Sequence, residues 1–231
     1  MAMARYLAMT AAEMMGGAPL PGKTAWMACH FSPYSTGLCN LPAALPPGSL
    51  LILNDRTPIH GHDPERICRE LTEALAGLQC AGLLLDFQNP PCREAALLVE
   101  HLAQKLKFPM GASPDYAAGT AAVFIPPVPT DTPIAAYLER WRGKTLWLEL
   151  ALEGQTITLT ESGSAYGINP FPADAPAMAD GALHCHYSIE EKQDAVVFRT
   201  WRTREDLSAR ILDAERLGVA LSVGLYQELR P

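Results

Sequence analysis

Residues Gly82 to Pro90 read GLLLDFQNP, and the architecture of the chain turns on them. An apolar run with no charge until its end is the pattern of a parallel strand buried on both faces, and Pro90 stops it. Side chains alternate along a strand, so Asp86 and Gln88 share one face and Phe87 takes the other. A buried strand that presents an acid and an amide at its C-terminal end fits the way α/β barrels build their sites.

The neighbouring segments carry the same pattern. AWMACHF (Ala25 to Phe31), SLLILND (Ser49 to Asp55), AAVFIPP (Ala121 to Pro127) and TLWLELAL (Thr145 to Leu152) are short apolar runs ending in polar or breaking residues. Helical spacing falls between them. Asp63 caps a helix whose first turn holds Pro64 and whose apolar face is Ile67, Leu71, Leu75 and Leu78; a second helix follows from Leu97, Leu98, Leu102 and Leu106. A third starts at Pro133 behind Thr132 and ends at Gly143, and a fourth is capped by Thr203 with Asp206 and stopped by Gly218.

This alternation predicts an α/β fold, an irregular or incomplete TIM-like (β/α) barrel, in the absence of a glycine-rich phosphate loop. Residues 1–24 read as a lead-in helix and loop, and 25–231 as a single barrel domain. QTITLTESGS (Gln155 to Ser164) alternates as an inserted β-hairpin, and residues 168–182 form a Pro-rich loop. VALSVGLYQEL (Val219 to Leu229) reads as the last strand. The C-terminal strand ends then nominate Asn54, Asp55, Asp86, Gln88, Glu149, Tyr226 and Glu228 as ligand-binding residues, with Cys29 and His30 beside them.

Composition narrows the function. Of 231 residues, 18 are Lys or Arg and 25 are Asp or Glu, and the net charge of −7 disfavours phosphate backbones and anionic lipid. No apolar run reaches the ~18 residues that span a bilayer. The six cysteines show no CxxC spacing, which fits reduced thiols in a cytoplasmic protein. Neither a nucleic acid nor a membrane is expected as a partner, and no cofactor is expected.

GLLLDFQNP resembles the fourth-strand signature of glycoside hydrolase family 18, the chitinases and chitinase-like proteins, whose pattern is D-x-x-D-x-D-x-E. On that pattern Ala81 stands at the first Asp, Leu84 at the second, Asp86 at the third and Gln88 at the catalytic Glu. The closing segment from Val196 to Leu229 is similar to the family's last helix and strand, with Tyr226 in place of the usual Trp. AAVFIPP stands where the family carries Met-x-Tyr-Asp and has neither the Tyr nor the Asp. The resemblance implies a barrel and a sugar-binding mouth. It also implies lost hydrolysis, since the family uses the substrate's acetamido group as nucleophile and one Glu as acid, and an amide cannot donate that proton.

Other constellations stay open. HGHD (His60 to Asp63) is either a pair of metal ligands or a loop that caps the next helix, and LHCHYS adds His184, Cys185 and His186. Cys29 with a histidine is a nucleophile or a buried thiol. Glu149 and Glu228 form either a replacement carboxylate pair or partners for arginines such as Arg199. Trp141 and Trp147 read as core, and Trp201 as an exposed platform. The leading expectation is a non-catalytic chitinase-like protein that binds a glycan or small polar ligand at its mouth. The alternatives are a diverged hydrolase using Glu149, Glu228 or Asp86, and a protein-interaction module whose partner is unknown.

Overall fold

A computed structural model describes residues 2–17, 23–120, 122–152, 154–169 and 177–229. The chain divides into two units: Met1–Pro126 with Gly143–Glu149 and Ala220–Pro231, and Pro127–Arg142 with Leu150–Val219. One domain was expected from residue 25 onward. In chain order the strands are β1 (Ala4–Met9), β2 (Thr24–Phe31), β3 (Leu38–Cys39), β4 (Leu50–Asn54), β5 (Gly82–Asp86), β6 (Met110–Ala112), β7 (Ala122–Ile125), β8 (Leu146–Leu150), β9 (Gly154–Thr160), β10 (Gly163–Asn169), β11 (Met178–Asp180), β12 (Cys185–Lys192), β13 (Ala195–Trp201) and β14 (Leu221–Leu225). The helices are α1 (Ala11–Met15), α2 (Pro64–Gly77), α3 (Arg93–Lys105), α4 (Ile134–Glu139), α5 (Arg204–Arg216) and α6 (Tyr226–Leu229).

The first unit is a closed barrel. Its strands run in the order β1, β14, β8, β7, β6, β5, β4, β2, and β2 returns to pair with β1, while β3 adds an antiparallel edge to β2. The stretch Ala4–Met9 therefore supplies a barrel strand and corrects the lead-in helix. Its Ala, Met and Leu residues favour helix in isolation, and pairing with both β14 and β2 overrides that preference.

Strand alternation sorts the side chains of β5 into two cores. Leu83 and Leu85 pack outward with Leu51, Leu53, Ile67, Leu71 and Leu98 beneath α2 and α3. Leu84 points inward with Tyr6, Leu50, Ile52, Phe124 and Trp147, so the barrel is filled by side chains below its mouth. Asp63 caps α2 and Pro64 begins it, as expected. In α3 the buried set is Ala95, Leu98, Val99 and Leu102, and the expected Leu97 is exposed. No helix among the described residues is long and apolar enough to cross a membrane.

The second unit holds a five-stranded antiparallel sheet ordered β10, β9, β13, β12, β11, together with α4 and α5. The expected hairpin is its β9–β10 arm. The strand DAVVFRT is β13 of this sheet, paired to β9 and β12. Thr203 and Asp206 form the predicted capping box of α5. Within the Pro-rich stretch 168–182, residues 170–176 lie outside the described residues, and Met178–Asp180 is strand β11.

Candidate functional site

Strand β2 has to bulge beside the mouth. Trp26 pairs with Leu51 and Cys29 with Leu53, so two residues of β2, Met27 and Ala28, lie between pairs that only Ile52 separates on β4. A bulge re-aims side chains and strands a backbone group. Asn54, at the end of β4, donates its amide to the Met27 carbonyl at 3.0 Å, and its own carbonyl accepts from the Arg56 backbone N–H at 3.3 Å. The polar end of SLLILN thereby holds the bulge in place.

Asp55 follows and is buried, and its carboxylate clamps the chain that leaves β5. It accepts from the Gln88 backbone N–H at 2.8 Å and from the Asn89 backbone N–H at 3.1 Å, while the Asn89 side-chain amide donates to the Asp55 carbonyl. The clamp fixes the half-turn after Phe87, whose ring packs on Phe31 and Tyr116. Gln88 thus stands at the rim with its amide donating to Asp86 at 3.2 Å. Burial pushes the Asp86 carboxyl above its ordinary range; the Gln88 amide opposes the rise and the Asp55 charge adds to it. Beneath it Leu84 is closed off at 1% exposure, so this level of the barrel holds no second acid from β5.

These groups surround an open cavity of about 710 Å³ at the C-terminal ends of β1, β2, β4 and β5. Thr10, Ala11 and Ala12, at the start of α1, form one wall, and the Thr10 hydroxyl and backbone are held by the Glu13 carboxylate in a capping box. Met27, Ala28 and Asn40 form another, and Asn54, Asp55, Arg56, Asp86, Gln88 and Asn89 complete the lining. Asn40, Asn54, Gln88 and Asn89 supply carboxamides, Arg56 a cation and Asp86 an acid. No aromatic ring lines it among the described residues.

The cavity brings together four of the residues expected from the sequence: Asn54, Asp55, Asp86 and Gln88. Glu149, Tyr226 and Glu228 are not in its lining. Glu149 sits on β8, while Tyr226 and Glu228 belong to helix α6 and not to the last strand, because β14 ends at Leu225. The sequence reading missed Thr10 along with its strand, and missed Asn40 and Asn89. Asn89 could have been found, since an Asn before a proline in the loop after a strand is a standard turn former.

The other constellations resolve into local roles. Burial, followed by the Cys39 and Glu70 charges, pushes the Cys29 thiol up to about 12, which removes it as a nucleophile at neutral pH. His30 meets Cys39 instead. The sulfur lies 3.1 Å from Nδ1 and 3.4 Å from Nε2, over the ring rather than in line with either nitrogen, and burial raises that thiol too. His62 reaches the Ser32 carbonyl at 3.1 Å, while Asp63 caps α2. His184 pairs with Asp213 and His186 with Asp206, both at 2.8 Å, tying the β12 end of the sheet to α5. Among the described residues no group of three or more His, Cys, Asp or Glu is placed to hold a metal ion. Trp201, expected at the surface, is 3% exposed and stacks on His186.

No family model matches this chain, and no curated protein matches it in sequence. Solved structures do match in fold. A chitinase from Chromobacterium violaceum superposes with a TM-score of 0.59 at 10% identity, covering 96% of this chain and 93% of that one. A family 18 chitinase from Cycas revoluta, solved with (GlcNAc)3, gives 0.62 at 12% identity over 96% and 94%. A family 18 N-acetylglucosaminidase from Paenibacillus barengoltzii gives 0.64 at 8% identity over 99% and 96%. The chain has the fold of the family 18 glycoside hydrolases, an α/β TIM-like barrel with an antiparallel insertion.

Proposed function

We propose that this protein is a non-hydrolytic chitinase-like protein that binds a glycan or small polar ligand at the barrel mouth. The observation that carries the reading is the pairing at the end of β5, where an amide, Gln88, stands at the rim against Asp86 above an apolar Leu84. Family 18 chemistry takes its proton from a carboxylic acid at the strand end, and general acid catalysis contributes about 10²–10⁴-fold. Gln88 has no such proton to give. What stays at the mouth is a set of hydrogen-bonding groups around about 710 Å³, the size of a small-molecule site. The reading places the protein in the cytoplasm, where its six free cysteines stay reduced.

Support for a glycan comes from the fold shared with a chitinase solved with (GlcNAc)3. The lining is rich in carboxamides, which pair with hydroxyls and acetamides, and among the described residues it has no aromatic ring on which a pyranose stacks. A short ligand held by hydrogen bonds fits this better than a long stacked chain.

One observation favours a second reading, a diverged hydrolase. Asp86 is a desolvated carboxyl, raised above its ordinary range, facing the cavity. The same experiment separates the two. Thermal unfolding is followed against N-acetylglucosamine oligomers, peptidoglycan fragments and other soluble glycans, with Asp86→Ala alongside and the reaction mixtures assayed for cleavage. A ligand at about 100 times its Kd stabilises the native state by about 2.7 kcal/mol. A dose-dependent shift, lost in Asp86→Ala and without cleavage, is the expected result. Cleavage abolished by Asp86→Asn replaces it with the hydrolase reading, and no shift with any glycan removes glycan binding.

A further inference from the structure

One face of the five-stranded sheet carries an exposed apolar patch. The register puts Ile189 beside Phe198, Phe198 beside Ile157, and Ile157 beside Tyr166, so four strands contribute one continuous apolar row. Met178, Ile168 and Leu159 extend the row on the same face, and at its end Gln155 and Thr200 are covered by Thr130, whose hydroxyl bonds both. Alternate positions point the other way. There Val197 and Trp201 are buried, and Glu190, Lys192, Arg199, Thr156 and Thr158 are polar, with Glu190 bonded to Arg199 at 2.8 Å. Antiparallel sheets turn a polar face to water and cover an apolar one. Here Tyr166 is 62% exposed, Ile168 64%, Met178 and Ile189 47%, and Leu159 43%.

We propose that a second copy of this chain covers this face, the two sheets packing face to face about a two-fold axis. The area decides for a copy of the chain. Five side chains of ~200 Å² each, about half exposed, leave ~500 Å² of apolar surface per chain, at the upper end of what a monomer carries. Pairing two such faces removes ~1,000 Å², the lower bound for a specific interface. A two-fold axis needs one patch complementary to itself, and one sheet face meeting its own copy meets that condition, as in aligned sheet-on-sheet packing with the strands within about 30°. Charge agrees, because the net charge of −7 opposes self-association everywhere except across a surface that carries almost none of it. Its charged residues are at two corners: Glu191 at the turn end of β12 and Asp180 at the end of β11. The inference is independent of what the barrel mouth binds.

The test is sedimentation velocity on the full-length protein over a wide range of concentration, with Ile168→Lys, Ile189→Lys and, on the opposite face, Glu190→Gln. A wild-type mass of two chains is expected, with the dissociation constant raised at least 100-fold by either lysine and unchanged by Glu190→Gln. A wild type that stays monomeric at every concentration overturns the proposal, and so does a dimer that survives both lysines. Should the lysine variants lose cooperative unfolding, hydrogen exchange on the wild type takes their place: amides of β9 and β13 gain protection with concentration if the face is covered, and the proposal fails if they do not.

Discussion

Replacing Asp55 with Asn isolates the clamp that shapes the mouth, because the side chain keeps its volume and loses its charge. In the native protein the carboxylate accepts two backbone N–H bonds, from Gln88 at 2.8 Å and Asn89 at 3.1 Å. Hydrogen bonds to a charged group contribute about 1.5–3 kcal/mol each. The carboxamide of the variant can turn its carbonyl toward only one of them, and its NH₂ then faces the other donor. Against the full loss stands the exposure of Gln88 and Asn89, whose freed N–H groups reach water once the turn relaxes. The net cost should therefore sit near the low end, about 2–3 kcal/mol, which in a chain of this length lowers Tm by about 5–10 °C. Urea denaturation checks this through a lower midpoint at unchanged m, and hydrogen exchange checks it locally through faster exchange at the Gln88 and Asn89 amides. If Asp55→Asn unfolds within about 0.5 kcal/mol of the wild type and both amides stay protected, the clamp does not hold the turn and the reasoning fails.

Two further predictions follow from the barrel interior and from the rim. A Cβ on Gly111 of β6 would stand 2.5 Å from Trp147 Cε3 and 2.9 Å from Cδ2, inside a filled core, so Gly111→Ala should cost about 1–3 kcal/mol by denaturation and displace the Trp fluorescence; unchanged stability would mean that the ring shifts freely. Asp86 has a carboxyl raised above its usual 3.8 in the folded state, so the native protein binds more protons than the unfolded chain in the window just above that value. Stability then declines as pH rises through that window, and Asp86→Asn should flatten the decline and unfold at the same or higher denaturant at neutral pH. A wild-type curve that rises with pH there more steeply than the mutant's contradicts the shift.

Strand β5 was legible in GLLLDFQNP because buried parallel strands are encoded locally: an unbroken apolar run, a polar end and a proline. The same local logic found the caps of α2 and α5, where Asp63 and the Thr203–Asp206 box satisfy the first free N–H groups. Strand β1 was illegible for the opposite reason. Its helix-forming residues become a strand because it pairs with both β2, the next strand, and β14, the last one in the chain. Helix α6 was taken into the last strand because no Gly, Pro or capping residue separates Leu225 from Tyr226.

Residue type and the period of two along a strand are enough to place Asp86 at the end of a barrel strand over an apolar Leu84, with Gln88 just beyond it. Which other groups meet them is a matter of three dimensions alone. Asp55 is 33 residues from the Gln88 N–H that it binds, and Asn54 is 27 from the Met27 carbonyl that it holds. Asn40, Arg56 and Thr10 reach the same cavity from separate loops. Glu149 and Glu228 were also nominated as strand-end acids and do not line it. Hydrogen bonding and burial depend on through-space position, and in a closed barrel that position follows from strand order and register, which no single segment carries.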